Sequence, residues 1–215
     1  MNDQVMPSPI DPTRKVRIDA RPEPFELVPA NTALVVVDLQ NGYASPGGCR
    51  HLVGQDIDPA RVAVANSLRL LDVARAAGVT VIMLKNGWDV ELKTAGGPNS
   101  PNWHKSNPLK TMRTRPELKG KILTHGIWDY EFVDDLKPIP SDIIVPKARY
   151  SGFCGTALDN VLRARHPPSG VCWHRHQCVR RIDDQGCLSS RVHLYPGGGR
   201  YPAVGPCVHP GCHAL

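Results

Sequence analysis

Asp38 closes a short apolar run, Ala33-Leu34-Val35-Val36-Val37, and Lys147 stands at the end of another, Asp142-Ile143-Ile144-Val145-Pro146. A carboxylate and an ammonium can do acid–base and electrostatic work. An Asp in that place can also cap a loop, and lysines are commonly solvated, so the two residues alone leave both readings open. Their positions add something. In open α/β sheets the ligand crevice lies beyond the carboxyl ends of the strands, and both residues are expected there. The third reactive group type is the thiol. Seven cysteines, an odd number with no secretion signal ahead of them, read as thiols rather than a disulfide framework. Only Cys49 and Cys154 precede residue 165; Cys172, Cys178, Cys187, Cys207 and Cys212 follow it.

The elements that must position these groups follow from periodicity. Residues 33–37 form a short apolar, β-branched run suited to a central parallel strand buried on both faces, 79–84 a second buried strand, and 142–145 a third strand. Between the first two, Val62, Ala65, Leu68, Leu71, Val73 and Ala76 recur at helical spacing, and Gly78 can end that helix, predicted over 59–77. Further helices are expected over 130–136 and 156–165. Residues 41–48 carry loop signals, and residues 1–30, rich in Pro and charge, read as an extended N-terminal arm. The polar stretch 86–121 is long for a connection in a compact domain and reads as a lid over a site. Alternating strands and helices give a three-layer, Rossmann-like α/β fold with a parallel sheet.

Residues 34–43 read LVVVDLQNGY and residues 144–153 read IVPKARYSGF. These segments resemble the Asp-bearing and Lys-bearing strand ends of isochorismatase-type cysteine hydrolases. Asn86-Gly87-Trp88-Asp89 and the segment GGPNSPNWHKSNPLKTMR over 96–113 resemble the lid of ureidoacrylate amidohydrolases in particular. The resemblance runs over 25–165. It implies a Cys-Asp-Lys triad in which Asp38 is the general base and Lys147 favours a thiolate. The thiolate would attack a carbamoyl carbonyl and expel the amine, and water would release the acyl-enzyme; no cofactor and no metal is needed. Gln40, Asn86, Trp88, Asn102, His104 and Lys105 are the implied substrate-binding and lid residues. The implied substrate is a small ureido or amide molecule of the kind degraded in pyrimidine catabolism, and the intact relative is expected to be a homo-oligomer.

The same resemblance predicts the nucleophilic Cys in a segment like GIATNVCVEST near residue 180, where this chain has Val179-Arg180-Arg181. Cys178 is the nearest substitute. Reading the last two bases of each codon with the first of the next, residues 173–184 permit GIATNVCVEST without a break. Residues 165–172 then permit Gly-Ile-Arg-His-Leu-Val-Phe, and 184–193 permit Ile-Lys-Asp-Ala-Phe-Leu-Leu-Glu-Tyr. The expectation is a frameshift near the codon for Arg165. Residues 31–165 then form an incomplete hydrolase domain. Residues 166–215 form an out-of-frame tail that does not pack as a native subdomain, so the C-terminal part of the fold is lost and the chain is inactive as written.

Composition is consistent with a break. Residues 166–215 hold six of nine histidines and no Lys, Glu, Phe, Met, Asn or Thr. Two competing readings remain: a catalytically dead α/β binding or interface protein, and a zinc-binding tail using His174, His176, Cys178, Cys207, His209, Cys212 and His213. The spacing fits no common finger. Formal charge is +6, but it is spread as 21 Lys+Arg against 18 Asp+Glu before residue 166 and 5 Arg against 2 Asp after it. Such thin spreading argues against a nucleic-acid partner. No apolar stretch approaches the roughly 18 residues that cross a bilayer, so no membrane partner is expected and the location is expected to be cytoplasmic.

Overall fold

The computed structural model describes residues 11–19, 24–165, 170–175 and 191–196, the last two segments as strand backbone. Its centre is a five-stranded sheet in the order β5-β4-β3-β6-β7. The strands are β3 (Ala33–Val37), β4 (Thr80–Asn86), β5 (Ile143–Lys147), β6 (Gly170–Arg175) and β7 (Arg191–Pro196). β3, β4, β5 and β6 run parallel, and β7 is antiparallel to β6. β3 is buried along its whole length, as a central strand covered on both faces must be.

The helices are α1 (Asn41–Ala44), α2 (Cys49–Leu52), α3 (Asp58–Ala76), α4 (Pro101–Lys105), α5 (Asn107–Thr114) and α6 (Leu158–Arg165). α3 joins β3 to β4 and packs on one face of the sheet, where Leu34, Val36, Val81 and Met83 meet Ala60, Val64, Leu71 and Ala74. Leu158 and Leu162 of α6 pack on the other face against Val35, Val37, Ile82, Leu84 and Val145. This is the expected three-layer α/β arrangement.

Several local expectations are corrected. The buried face of α3 is Ala60, Ala63, Val64, Ser67, Leu71 and Ala74, whereas Val62 and Val73 are 61% and 67% exposed. Small residues over most of that face let the helix lie close to the sheet, and Val62 and Val73 fall on the outer side. The arm contains an antiparallel hairpin of β1 (Val16–Ile18) and β2 (Phe25–Leu27). Residues 41–44 form α1 rather than a loop, and 130–136 forms two 3-10 turns, Trp128–Tyr130 and Asp134–Leu136, rather than one helix.

Two strands also fall within the tail that begins after Arg165. β6 pairs with β3 from Ala33↔Val171 to Val37↔Arg175, and β7 extends the sheet beyond it. Backbone pairing needs only N–H and C=O groups, so the compositional break at Arg165 does not prevent it. The remainder of 166–215 lies outside the described residues, including Cys178 and the candidate zinc ligands His176, Cys207, His209, Cys212 and His213.

The lid over 86–121 lacks a single period because it is built from short pieces. Ser100 and Ser106 cap α4 and α5 by accepting from the N–H groups of Asn102 and Leu109, and Pro follows each cap. Its apolar residues form a cluster of their own, with Trp88, Leu92, Ala95, Leu109, Met112, Leu118, Ile122 and Leu123 around Tyr43 and Cys49.

Candidate active site

The parallel strands bring Asp38 and Lys147 to one edge of the sheet. Val37 is level with Leu84, and Asn86 with Lys147, so the two residues emerge on either side of the end of β4. Leu34 and Val36 face the α3 layer, whereas Val145, two residues before Lys147, faces the α6 layer. Simple alternation would therefore send Asp38 and Lys147 to opposite faces. Asp38 has φ +60°, outside the extended region, and this turn lets its carboxylate reach the lysine. Lys147 Nζ donates to Asp38 Oδ2 at 2.9 Å and to the Arg149 carbonyl at 3.2 Å. The side chains are 2% and 15% exposed, so this is a shielded ion pair. Asp38 Oδ1 is buried and accepts from no group among the described residues.

Gln40 and Asn86 brace the floor of the site. Gln40 Nε2 donates to the Asn86 and Tyr130 carbonyls at 2.9 and 2.6 Å, and Gln40 Oε1 accepts from the Asn86 N–H at 2.7 Å. Asn86 Nδ2 donates to the Tyr43 hydroxyl at 2.6 Å. Trp88 Nε1 and Asn102 Nδ2 both donate to the Ala148 carbonyl, at 3.0 and 3.2 Å, and Asn102 also donates to the Ala95 carbonyl. His104 and Lys105 are exposed. A His104 ring nitrogen lies 2.6 Å from the Pro98 carbonyl, and the Lys105 carbonyl accepts from the Tyr150 hydroxyl. The structure thus gathers Asp38, Lys147, Gln40 and Asn86 at the strand ends. It uses Trp88 and Asn102 to tie the lid to the residue after Lys147, and it leaves the side chains of His104 and Lys105 at the surface.

Four residues without an assigned role in the sequence also belong here. Arg149 donates to the Thr94 carbonyl and Tyr150 to the Lys105 carbonyl, so residues 148–150 all hold the lid. Both lie inside the IVPKARYSGF segment, which was the available signal. Asp129 is buried and accepts from the N–H groups of Cys49 and Leu123 at 2.8 and 2.7 Å. Burial raises its pKa against those two bonds, which lower it. Gly42 has no side chain because a Cβ there would run into the Asp129 carboxylate and the Leu123 side chain. The fourth is Tyr43, whose phenol is held well above its usual pKa by burial first and then by the Asp38 charge.

Two thiols fall among the described residues. Cys49 is buried in the lid cluster, and burial, with the Asp129 charge second, pushes its pKa up to about 12. Cys154 is exposed between β5 and α6. No group of three His, Cys, Asp or Glu side chains among the described residues could hold a metal ion, and no helix there is long and apolar enough to cross a membrane.

Comparison with known proteins agrees with this architecture. The isochorismatase domain matches residues 32–169, stopping just past Arg165. A protein of Agrobacterium fabrum named ureidoacrylate amidohydrolase RutB is 60% identical over 148 residues, covering 69% of this chain and 65% of the relative. A protein of the same name from Caulobacter vibrioides is 56% identical over 189 residues, covering 87% and 76%, a match long enough to enter the tail. The crystal structure of a cysteine hydrolase from Pseudomonas syringae pv. phaseolicola 1448A superposes with a TM-score of 0.53 at 30% identity, covering 70% of this chain and 62% of that one. The chain therefore spans slightly less than two thirds of the Agrobacterium relative's length. With a domain match over more than half its residues and relatives this similar, the chain belongs to the isochorismatase family.

Proposed function

We propose that the site serves an amidohydrolase that cleaves the C–N bond of a small ureido molecule, ureidoacrylate or a close analogue, through a Cys-Asp-Lys triad. The observation that carries the reading is the shielded Lys147–Asp38 pair at 2.9 Å with Asp38 Oδ1 left open beside it. An ionised carboxylate with a free oxygen can accept the proton of a thiol, and the ammonium lowers the cost of the thiolate. The thiolate adds to the carbamoyl carbon and the C–N bond breaks. The proton held by Asp38 passes to the departing amine, and water then hydrolyses the S-carbamoyl cysteine, releasing carbamate and regenerating the thiol. The names of the relatives supply the substrate class.

The nucleophile is the missing part. Cys49 is protonated and enclosed, Cys154 is exposed, and Cys178 lies outside the described residues. β6 ends at Arg175, level with Val37 and next to Asp38, so the chain leaves β6 at the edge where a nucleophile would serve. The alternative frame permits the family-like cysteine four codons after that point. A frameshift near Arg165 thus explains both the missing thiol and the change in composition, and residues 166–215 are then an out-of-frame tail.

The test is turnover of ureidoacrylate by this chain beside a version with the reading frame restored. The restored protein is expected to turn over and the present chain to show little activity. Robust turnover by the present chain, abolished by Cys178→Ser, would instead assign the nucleophile to Cys178.

A further inference from the structure

The outer face of α3 is apolar where a solvated helix is ordinarily polar. At 3.6 residues per turn, Val62, Ala65, Arg69, Val73 and Ala76 share the side opposite the buried Ala60, Val64, Ser67, Leu71 and Ala74. All five are exposed, Val62 and Val73 to 61% and 67%. Arg69 stands in the middle of this stripe and Asp72 at its edge. Elsewhere on the helix the charges are matched, Asp58 with Arg61 and Arg75 with Asp142. Arg69 and Asp72 have no ion-pair partner among the described residues. They lie one turn apart, but the base precedes the acid, which is the less favourable order along a helix.

We propose that α3 is a contact between two copies of this chain, an antiparallel helix pair closed by two ion pairs, each joining Arg69 of one copy to the partner's Asp72. The stripe is complementary to itself. With a two-fold axis level with the Leu70–Leu71 peptide bond, Arg69 lies against the partner's Asp72, and symmetry repeats the pair, so both open charges close at once. The same register sets Ala65 against the partner's Ala76, where small side chains permit a close approach of the helix axes. It also sets Val73 against the partner's Leu68 and Val62 against the partner's Val79, so apolar surface meets apolar surface throughout. A different protein would have to supply the opposite charges in the reverse order, whereas a second copy of α3 carries them already. A single helix pair is a small contact beside the roughly 1,200–2,000 Å² of a stable interface, so the association is weak and depends on concentration.

Sedimentation velocity on the full chain over about 1–100 μM should show monomer giving way to dimer. Arg69→Glu sets acid against acid across the axis, and Asp72→Arg sets base against base. Each variant alone should dissociate at least about tenfold more readily than the parent. An equimolar mixture of the two variants should recover the dimer, because Glu placed at 69 in one copy then meets Arg placed at 72 in the other, and the native Asp72 meets the native Arg69. Association through the sheet edge or the tail would not show this recovery, and circular dichroism checks that each variant is folded. A chain that stays monomeric at every concentration would overturn the proposal and leave the stripe to another occupant. Self-association that both single variants leave unchanged, or a mixture no tighter than the variants alone, would overturn it as well.

Discussion

An ammonium carries three donors, and two of those on Lys147 are placed, on Asp38 Oδ2 and on the Arg149 carbonyl. The geometry pairs Lys147 with one oxygen of Asp38 and leaves the other oxygen of Asp38 free. This division of labour gives separate expectations for the two residues. In the frame-restored protein, Asp38→Asn and Lys147→Ala should each slow the chemical step by about 10²- to 10⁴-fold, read by single-turnover kinetics with circular dichroism as the check on fold. A near-normal rate in either variant would remove that residue from the chemistry. The thiols give a second expectation. Cys49 is enclosed, with its pKa pushed up to about 12, so below that pH it stays a thiol in the folded protein. Iodoacetamide at pH 8 should therefore leave the Cys49 peptide unmodified while labelling that of exposed Cys154, as read by peptide mass spectrometry. Labelling of Cys49 at the rate of Cys154 would mean the lid cluster opens readily. Asp38 and Lys147 were legible in the sequence because each ends an apolar run. The direction of Gln40, Trp88 and Asn102 toward backbone carbonyls was not, since sequence does not say whether an amide faces a ligand or a peptide group.

At the scale of elements, strands β3 and β4 could be read closely because buried parallel strands are continuous apolar runs, and β5 was legible as a strand although it is the half-exposed edge of the sheet, with Ile144 47% exposed. The face of α3 was less legible. Its sheet side uses Ala60, Ala63, Ser67 and Ala74, so the hydrophobic pattern was dominated by the exposed Val62 and Val73. The lid hid its order in helices too short to show a period. One anchor between elements was also invisible in sequence. Arg75, near the end of α3, reaches Asp142 at the entrance to β5 at 2.5 Å, and that carboxylate is 1% exposed and also accepts from the Ile139 N–H. Removing one partner of a buried pair leaves an uncompensated charge. Arg75→Ala should therefore lower stability by about 3 kcal/mol, seen as a shift in the urea midpoint. A change within 0.5 kcal/mol, the usual range for surface substitutions, would show the pair to be a surface contact in solution.

For the whole molecule, the sheet is divided between two kinds of sequence. β3, β4 and β5 come from the segment that matches the isochorismatase domain throughout, whereas β6 and β7 come from the tail with altered composition. Backbone hydrogen bonds are indifferent to side chains, so a tail with the wrong side chains can still occupy the strand position beside β3. It would then cover the unpaired N–H and C=O groups of a fully buried strand without supplying the apolar packing that a family-like segment would. This gives an order of stability that neither a native tail nor an entirely detached one would produce. The frame-restored protein should be the most stable and the present chain intermediate. A chain ending at Arg165 should be the least stable, aggregating through the exposed edge of β3. Urea midpoints and size-exclusion chromatography with light scattering on the three proteins would establish the order. If the chain ending at Arg165 matches the present chain in both, β6 contributes nothing to the sheet. If the present chain matches the restored protein, its tail packs as well as the family segment and the frameshift reading fails.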